Sequence, residues 1–142
     1  MKKKSLSAKK INHNLLKKIL SVKQLNLIFK KFEKKLNPNK NYLIAVSGGS
    51  DSLALAFLSK CFEEKYNLSF SYCIVDHQLR KESSREAKEV VKILNTINIK
   101  CNILKWTGKK PNSNIQSIAR FYRYELLEKK CFKDNINLIA GW

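Results

Sequence analysis

Short apolar runs alternate with longer amphipathic stretches along most of this chain, and that alternation limits the folds open to it. The run Tyr42–Val46 is wholly apolar, as expected of a strand buried on both faces of a sheet. Strands that alternate with helices favour a parallel sheet with right-handed crossovers, so the sequence predicts an α/β fold. The predicted strands are Tyr42–Val46, Leu68–Val75, Ile99–Trp106 and Asn137–Ala140, and the predicted helices between them are Asp51–Tyr66, Ser84–Ile97 and Ile115–Phe132.

The residues before the first strand divide into two parts. Residues 1–12 are polar and rich in lysine, and we expect a basic, flexible tail. From His13 to Leu36 apolar residues recur at spacings near three and four, which predicts an amphipathic helix, in one piece or two, that covers the sheet. The alternative is a helix that lies on a membrane surface. The residues predicted to face inward are Leu16, Ile19, Leu20, Leu25, Ile28, Phe29, Phe32 and Leu36.

The charge of the chain is strongly positive and has two open interpretations. The 142 residues include 29 Lys and Arg against 11 Asp and Glu, a formal net charge of +18. Abundant Lys, Asn and Ile are typical of an AT-rich genome, which raises the charge without any partner. A polyanion such as nucleic acid would also exploit it.

Cysteine usage and hydropathy indicate the compartment. Cys61, Cys73, Cys101 and Cys131 lie far apart with no C-x-x-C pair, which argues against a zinc or iron–sulfur site. Their apolar neighbours predict reduced core thiols. No run approaches the roughly 20 apolar residues of a membrane span, and the N-terminus lacks the apolar stretch of a secretory signal. We therefore expect a cytoplasmic protein that does not associate with membranes.

The first predicted strand ends on the loop Ser47-Gly48-Gly49-Ser50-Asp51-Ser52. In an open parallel sheet ligands gather at the carboxyl ends of the strands. Glycines permit positive φ and a close backbone approach, while serine hydroxyls, N–H groups and the start of a helix suit an anion. Neither the G-x-G-x-x-G nor the G-x-x-x-x-G-K-[ST] pattern is present. A loop with Asp51 and no lysine suits a pyrophosphate leaving group beside a bound metal ion.

Three motifs in this chain carry a resemblance to a known family. The S-G-G-x-D-S pattern at Ser47–Ser52 resembles the PP-loop of the N-type ATP pyrophosphatases, which cleave ATP between the α- and β-phosphates and adenylate a substrate. Residues 75–80, V-D-H-Q-L-R, and residues 114–124, with the pattern N-x-Q-x-x-A-R-x-x-R-Y, resemble segments of the tRNA(Ile)-lysidine synthetases. The fold implied is a Rossmann-like, parallel-sheet PP-loop domain of the adenine nucleotide α-hydrolase type.

The resemblance also implies a reaction and its participants. ATP with Mg²⁺ would adenylate C2 of the wobble cytidine, position 34, of a tRNA(Ile) with a CAU anticodon, and free L-lysine would then displace AMP to form lysidine. The implied catalytic residues are Asp51, also a candidate Mg²⁺ ligand, and Arg120. The implied nucleotide-binding residues are Ser47, Gly48, Gly49, Ser50, Asp51, Ser52 and Asp76, and the implied substrate or RNA contacts are Arg80, Asn114 and Arg123.

Some of these side chains are also compatible with a purely structural role. Arg120 and Arg123 lie one helical turn apart and share a face, so they suit either a phosphate or cytidine, or surface salt bridges with Glu125 or Glu128. His77 is interpreted as a structural turn residue and not as a base.

The resemblance fails at the end of the chain. The family continues after the fourth strand with L-A-G-H and later acidic residues, whereas Trp142 stands where that histidine would fall. We therefore expect residues 13–142 to be a partial N-terminal ATP-binding domain, truncated after the fourth strand and without C-terminal tRNA-binding domains. We expect these residues alone to form no lysidine. The alternatives are a non-catalytic remnant that binds nucleotide or RNA, or another PP-loop tRNA-modifying enzyme such as a thiolase.

Overall fold

The computed structural model describes residues 16–140. The predicted order of strands and helices is confirmed. The predicted tail at residues 1–12, the start of the first predicted helix at His13 and the terminal Trp142 lie outside the described residues. After helical residues 16–21, the elements are α1 (Lys23–Glu33), β1 (Tyr42–Val46), α2 (Ser50–Tyr66), β2 (Ser71–Asp76), α3 (Ser83–Thr96), β3 (Cys101–Lys105), α4 (Ile115–Asp134) and β4 (Asn137–Ala140).

The four strands form one parallel sheet in the order β3-β2-β1-β4. Ile44 in the middle of β1 pairs with Tyr72 of β2 on one side and with Ile139 of β4 on the other. The chain therefore moves outward from β1 to β3 and then returns to the opposite side of β1. The carboxyl end of β1 lies at the point where this order reverses, which is where open α/β sheets bind ligands.

The alternating side chains of β1 divide between two apolar layers. Tyr42, Ile44 and Val46 pack with residues of α2 and α3 on one face of the sheet. Leu43 and Ala45 pack on the other face with residues of α4. Because both faces are covered, all five residues of β1 are buried. The sheet thus holds the loop after β1 on a rigid base.

The first helical segment is in two pieces, one of the two arrangements that its spacing predicts. It bends at Val22, so residues 16–21 and α1 are separate pieces. The prediction of an inward position is wrong for three residues, because Leu20, Leu25 and Ile28 are 39%, 43% and 50% exposed. The bend breaks the helical phase, and only one side of α1 meets the core. The predicted residues that do reach the core are Leu16, Ile19, Phe29, Phe32 and Leu36.

The second strand begins at Ser71, three residues later than its apolar run predicts. The reason is the buried carboxylate of Glu63 on α2, which accepts hydrogen bonds from the Phe70 N–H at 2.5 Å and the Tyr72 hydroxyl at 2.6 Å. Burial raises the pKa of Glu63, and these bonds offset that rise only in part. Before the strand ladder starts, Phe70 is therefore held by the Glu63 carboxylate and Leu68 by the Glu63 carbonyl.

The four cysteines are all buried and unpaired, as the sequence predicts. Burial raises the pKa of Cys61 and Cys101 to about 12 and that of Cys73 to about 11. Within residues 16–140 no helix combines the length and apolar character needed to cross a membrane.

Candidate active site

The loop after β1 is anchored from within by its own serines. The buried Ser52 hydroxyl accepts a hydrogen bond from the Ser47 N–H at 2.6 Å, and the Ser47 hydroxyl accepts one from the Gly49 N–H at 3.3 Å. Gly48, Ser50 and Asp51 are exposed. The loop is thus fixed on its inner side and open to solvent on its outer side, where α2 begins.

The loop glycines do not use the positive φ that glycine permits. None of the described glycines has positive φ, and Gly49, the residue before α2, is extended at φ −74° and ψ 152°. A Cβ added to Gly48 would meet Val90 Cγ2 at 3.8 Å, and one added to Gly49 would meet Ser47 Oγ at 3.6 Å, both ordinary contacts. The protein alone therefore does not require glycine here. Glycine instead leaves the space that a ligand needs to approach the backbone.

Asp51 lies in the first turn of α2 and is exposed. Within residues 16–140 no group of three or more His, Cys, Asp or Glu side chains could hold a metal ion. Mg²⁺ commonly takes one or two carboxylates together with substrate phosphates and water. Asp51 therefore fits a Mg²⁺ ion held jointly with a nucleotide, and not one held by the protein alone.

Asp76 ends β2 and ties that strand to the start of α3. Its carboxylate accepts hydrogen bonds from the Ser83 hydroxyl at 2.7 Å, the Ser84 hydroxyl at 2.5 Å and the Gln78 N–H at 3.1 Å. Burial opposes the charge of Asp76, but the bonds from Ser84, Ser83 and Gln78 outweigh it and lower its pKa. Only 1% of Asp76 is exposed. Asp76 is therefore ionised and fixes the turn that follows it.

That turn orients His77. Gln78 takes the left-handed conformation at φ 54°, and the Leu79 N–H donates to His77 Nδ1 at 3.1 Å. Burial lowers the pKa of His77, and the charges of Arg123 and Arg80 lower it further, against the opposing effect of Asp76 and Glu86. His77 is therefore neutral near pH 7. Since Nδ1 is an acceptor, the ring proton lies on Nε2.

Two clefts adjoin at this turn. The first, here called the loop cleft, has a volume of about 450 Å³ and includes Ser47, Gly48, Glu86 and Glu89 in its lining. The second, the arginine cleft, has a volume of about 480 Å³ and includes Gln116, Ser117 and Arg120. Both are lined by His77, Arg80 and Arg123. The structure thus brings together the first loop residues and three of the four arginines.

The two α4 arginines are partly anchored by their own helix. Arg123 Nε donates to the Ala119 carbonyl at 3.4 Å, and the Arg120 guanidinium lies 5.6 Å from the centre of the Tyr124 ring. Burial lowers the pKa of Arg123, and the charge of Arg120 lowers it further. Glu125, one of the salt-bridge partners considered from the sequence, is engaged by Lys129 at 2.8 Å. Arg80 pairs with Glu86 at 3.0 Å.

The other predicted site residues lie around these clefts. Gly49, Ser50, Asp51 and Ser52 belong to the loop or the start of α2, but they line neither cleft. Asn114 precedes α4 in the left-handed conformation at φ 54°. It lines a smaller depression with Ser113 and the first turn of α4, and not the arginine cleft.

An aromatic contact that the sequence analysis did not identify fixes the loop before α4. Trp106 stacks on Tyr122 with ring centres 4.0 Å apart, and the backbone N–H of Trp106 donates to the Asp76 carbonyl at 3.0 Å. A Cβ added to Gly108 would come within 2.1 Å of the Trp106 ring. Gly108 therefore allows the loop to pass directly against the indole. This contact joins the ends of β2 and β3 to α4.

Six polar residues line the clefts without having been predicted as site residues from the sequence: His77, Ser83, Glu86, Glu89, Gln116 and Ser117. Gln116 belongs to the N-x-Q motif and His77 to the V-D-H motif, so both could have been selected by motif membership alone. Ser117 carries no such signal.

Residues 16–141 match the PP-loop domain family, and the chain belongs to that family. It is 44% identical over 102 residues to the tRNA(Ile)-lysidine synthase of Bartonella quintana (strain Toulouse), a match that covers 70% of this chain and 21% of that protein. It is 36% identical over 116 residues to the tRNA(Ile)-lysidine synthase of Rickettsia akari (strain Hartford), covering 78% and 27%. The resemblance indicated by the motifs is confirmed. The matches span about a fifth to a quarter of the length of these relatives.

A solved structure with a similar fold is the U34-tRNA thiolase NcsA from Methanococcus maripaludis with its [4Fe-4S] cluster. The two superpose with a TM-score of 0.61 over 95% of this chain and 46% of that chain, at 19% sequence identity. This likeness confirms the predicted PP-loop fold.

Proposed function

We propose that this chain is the ATP-binding part of an enzyme that ligates L-lysine to C2 of cytidine 34 in a tRNA(Ile) with a CAU anticodon, through an adenylated cytidine, in the cytoplasm. The observation that carries the proposal is the junction of the two clefts. A serine- and glycine-rich loop at the switch point of the sheet adjoins a cleft with three arginines. The similarity to lysidine synthases supports this choice of substrates.

The loop residues have distinct parts in the proposal. Gly48 and Gly49 leave room for phosphate oxygens to approach the backbone, and Ser47 and Ser50 offer hydroxyls to them. Ser52 is buried and bonded to Ser47, so its part is to hold the loop in shape. The positive end of α2 stabilises the charge of the departing pyrophosphate.

The metal ion implied by this chemistry fits the carboxylate of Asp51. Mg²⁺, when bound, neutralises charge on the phosphates of ATP. Asp51 would hold that ion beside the loop, since it is the one carboxylate in the loop sequence and is exposed.

Asp76 is proposed to lie close to the base or ribose of the nucleotide. A carboxylate has about four acceptor positions, and three hydrogen bonds already reach Asp76. One further bond, from a ribose hydroxyl for example, remains possible. Because Asp76 is 1% exposed, its larger effect is to fix the position of His77.

The arginines are proposed to act on the RNA side of the junction. Arg120 would stabilise the charge that develops during adenylation, and Arg80 and Arg123 would contact the RNA substrate. Asn114, which lies before the first turn of α4, would contact the same RNA from the neighbouring depression.

Thiolase chemistry receives no support from the described cysteines. A reactive cysteine needs an exposed thiol with a lowered pKa. The four cysteines here are buried, and burial raises the pKa of each.

The test is incorporation of labelled lysine into a tRNA(Ile) transcript. The matched segment of the Bartonella quintana relative is replaced by this chain, and the chimera is assayed with Mg-ATP and the CAU transcript. We expect lysine incorporation that depends on Asp51 and Arg120, and none with a transcript whose anticodon cytidine is replaced by uridine. A chimera that binds both Mg-ATP and tRNA, yet incorporates no lysine, would refute the proposed reaction.

A further inference from the structure

The arginine cleft has an unusual charge balance. Three of its lining residues are arginines, Gln116 and Ser117 add polar groups, and none of the described residues that line it is acidic. Glu86, the partner of Arg80, lines the loop cleft instead. An open cleft with several cations and no anion in its lining favours a negatively charged ligand.

The residues that line both clefts, His77, Arg80 and Arg123, form the wall between them. Within this wall His77 adds a neutral hydrogen-bond donor to the arginines. His77 Nδ1 is occupied by the Leu79 N–H, so Nε2–H is the polar group that the ring can offer to a ligand. His77 lines both clefts together with Arg80 and Arg123. Burial and the charges of the two arginines lower its pKa, which fits a neutral ring.

We infer that the arginine cleft binds a phosphodiester of single-stranded RNA, and that His77 donates its Nε2–H to this phosphate. The choice of RNA rests on the proposed function. Phosphate oxygens accept hydrogen bonds from arginine in paired, charge-assisted geometry. The proposed function places the polyphosphate of the nucleotide against the loop backbone, and Glu86 and Glu89 disfavour the RNA phosphate in the rest of the loop cleft. The shared wall would then hold the RNA strand beside the nucleotide.

The first experiment measures binding of a fluorescein-labelled single-stranded RNA to the chain, without ATP, by anisotropy. Arg123→Gln is compared with Arg85→Gln, which removes the same charge from an exposed position on α3 that lines neither cleft. We expect Arg123→Gln to weaken binding by about 10-fold or more, since bonds to charged groups contribute strongly. Arg85→Gln should weaken it by less than about 3-fold, the share of one peripheral charge. Equal losses in the two variants would overturn the inference.

A second pair of variants distinguishes two functions of His77: donating Nε2–H to a phosphate and accepting the Leu79 N–H in the turn. His77→Asn keeps an acceptor for the Leu79 N–H but loses the Nε2 donor. His77→Gln places an amide donor close to the position of Nε2. We expect His77→Gln to bind RNA within about 3-fold of the parent, although it loses the acceptor for the Leu79 N–H and should melt at a lower temperature. His77→Asn should bind RNA about 10-fold more weakly while melting closer to the parent. If the His77→Asn variant binds RNA like the parent, His77 only stabilises the turn and the inference is wrong.

Titration with Mg-ATP in the same variants separates the two sources of phosphate. Because Arg123 and His77 also line the loop cleft, Arg123→Gln and His77→Asn should each lose less affinity for Mg-ATP than for RNA if the arginine cleft serves RNA. A loss of Mg-ATP affinity equal to the loss of RNA affinity would overturn the inference. A loss of Mg-ATP affinity without a loss of RNA affinity would assign the cleft to the nucleotide and overturn the inference. A chimera that fails to incorporate lysine while these RNA results hold would refute the proposed reaction alone.

Discussion

The fold leaves space for a side chain at Gly49 but not at Gly108, so alanine substitution should affect stability differently at the two positions. A Cβ at Gly108 would lie within 2.1 Å of the Trp106 ring, whereas one at Gly49 meets its nearest atom at 3.6 Å. We expect Gly108→Ala to lower the free energy of unfolding by about 1–3 kcal/mol, because the loop or the indole must move. Gly49→Ala should change it by less than about 1 kcal/mol. Urea denaturation followed by tryptophan fluorescence measures both, and equal effects would contradict this account.

His77 should make folding sensitive to mild acid. Its pKa is lowered in the folded chain by burial and by Arg123 and Arg80, so below about pH 6.5 the unfolded chain binds more protons. Stability must then fall as the pH drops through that range. We expect a fall between about pH 7 and pH 5.5 that is smaller in His77→Asn, since asparagine does not titrate. Denaturant melts of both proteins across this range provide the measurement. Parallel pH profiles would show that His77 titrates normally.

At the scale of secondary structure, Asp76 connects β2 to the start of α3. Asp76→Asn removes the charge that receives the Ser83 and Ser84 hydroxyl bonds, and we expect a loss of about 1–3 kcal/mol of stability at pH 7. Because the pKa of Asp76 is lowered, its contribution is complete above its ordinary pKa near 4 and is lost as the pH falls below that value. The two proteins should therefore converge in stability at low pH.

A matched control for Asp76→Asn exists at the end of α4. Asp134 pairs with Lys130 at 3.2 Å but is exposed. Asp134→Asn should cost less than about 1 kcal/mol, as surface ion pairs do. Chemical denaturation of both variants at pH 7 decides the comparison. If Asp134→Asn lost as much free energy of unfolding as Asp76→Asn, the loss would come from removal of the charge and not from the buried hydrogen bonds.

The elements show which parts of the structure local sequence can predict. β1 was predicted to the residue, because an apolar run between polar loops has one plausible place in a parallel sheet. The start of β2 was not, because it depends on Glu63, a helix residue that binds Phe70 across the fold. The exposure of Leu25 and Ile28 was not predicted either, because the spacing allows a break in the helix but does not place it at Val22.

The candidate site was predictable in its composition but less so in its arrangement. The motifs selected Ser47, Gly48, Arg80 and Arg123, and the fold brings these residues to adjoining clefts. His77 was interpreted as a turn residue, and it does accept the Leu79 N–H, yet it also lines both clefts. One atom of a side chain can accept a hydrogen bond in a turn while another atom faces a cleft. The sequence alone does not show that His77 is in both environments, whereas the three-dimensional structure does.

At the scale of the whole molecule, the net charge of +18 should produce RNA affinity that depends on salt. If n cations meet phosphates, the logarithm of the binding constant falls with the logarithm of salt concentration at a slope near −0.7n for single strands. We expect a clear slope for the parent and a shallower slope, by about 0.7, for Arg123→Gln. Filter binding over a range of KCl concentrations measures it. A flat response would leave composition as the explanation of the charge.

The most direct test of the central claim, that the Ser47–Ser52 loop binds the phosphates of ATP, is calorimetric titration of the chain with Mg-ATP. Gly49→Val and Asp51→Ala are titrated beside the parent, with melting temperatures as a control for folding. The extended backbone of Gly49 suits valine and the space beside it accepts a Cβ, so that variant should remain folded. We expect both variants to bind Mg-ATP about 10-fold or more weakly than the parent. Unchanged Mg-ATP affinity in both folded variants would contradict the account.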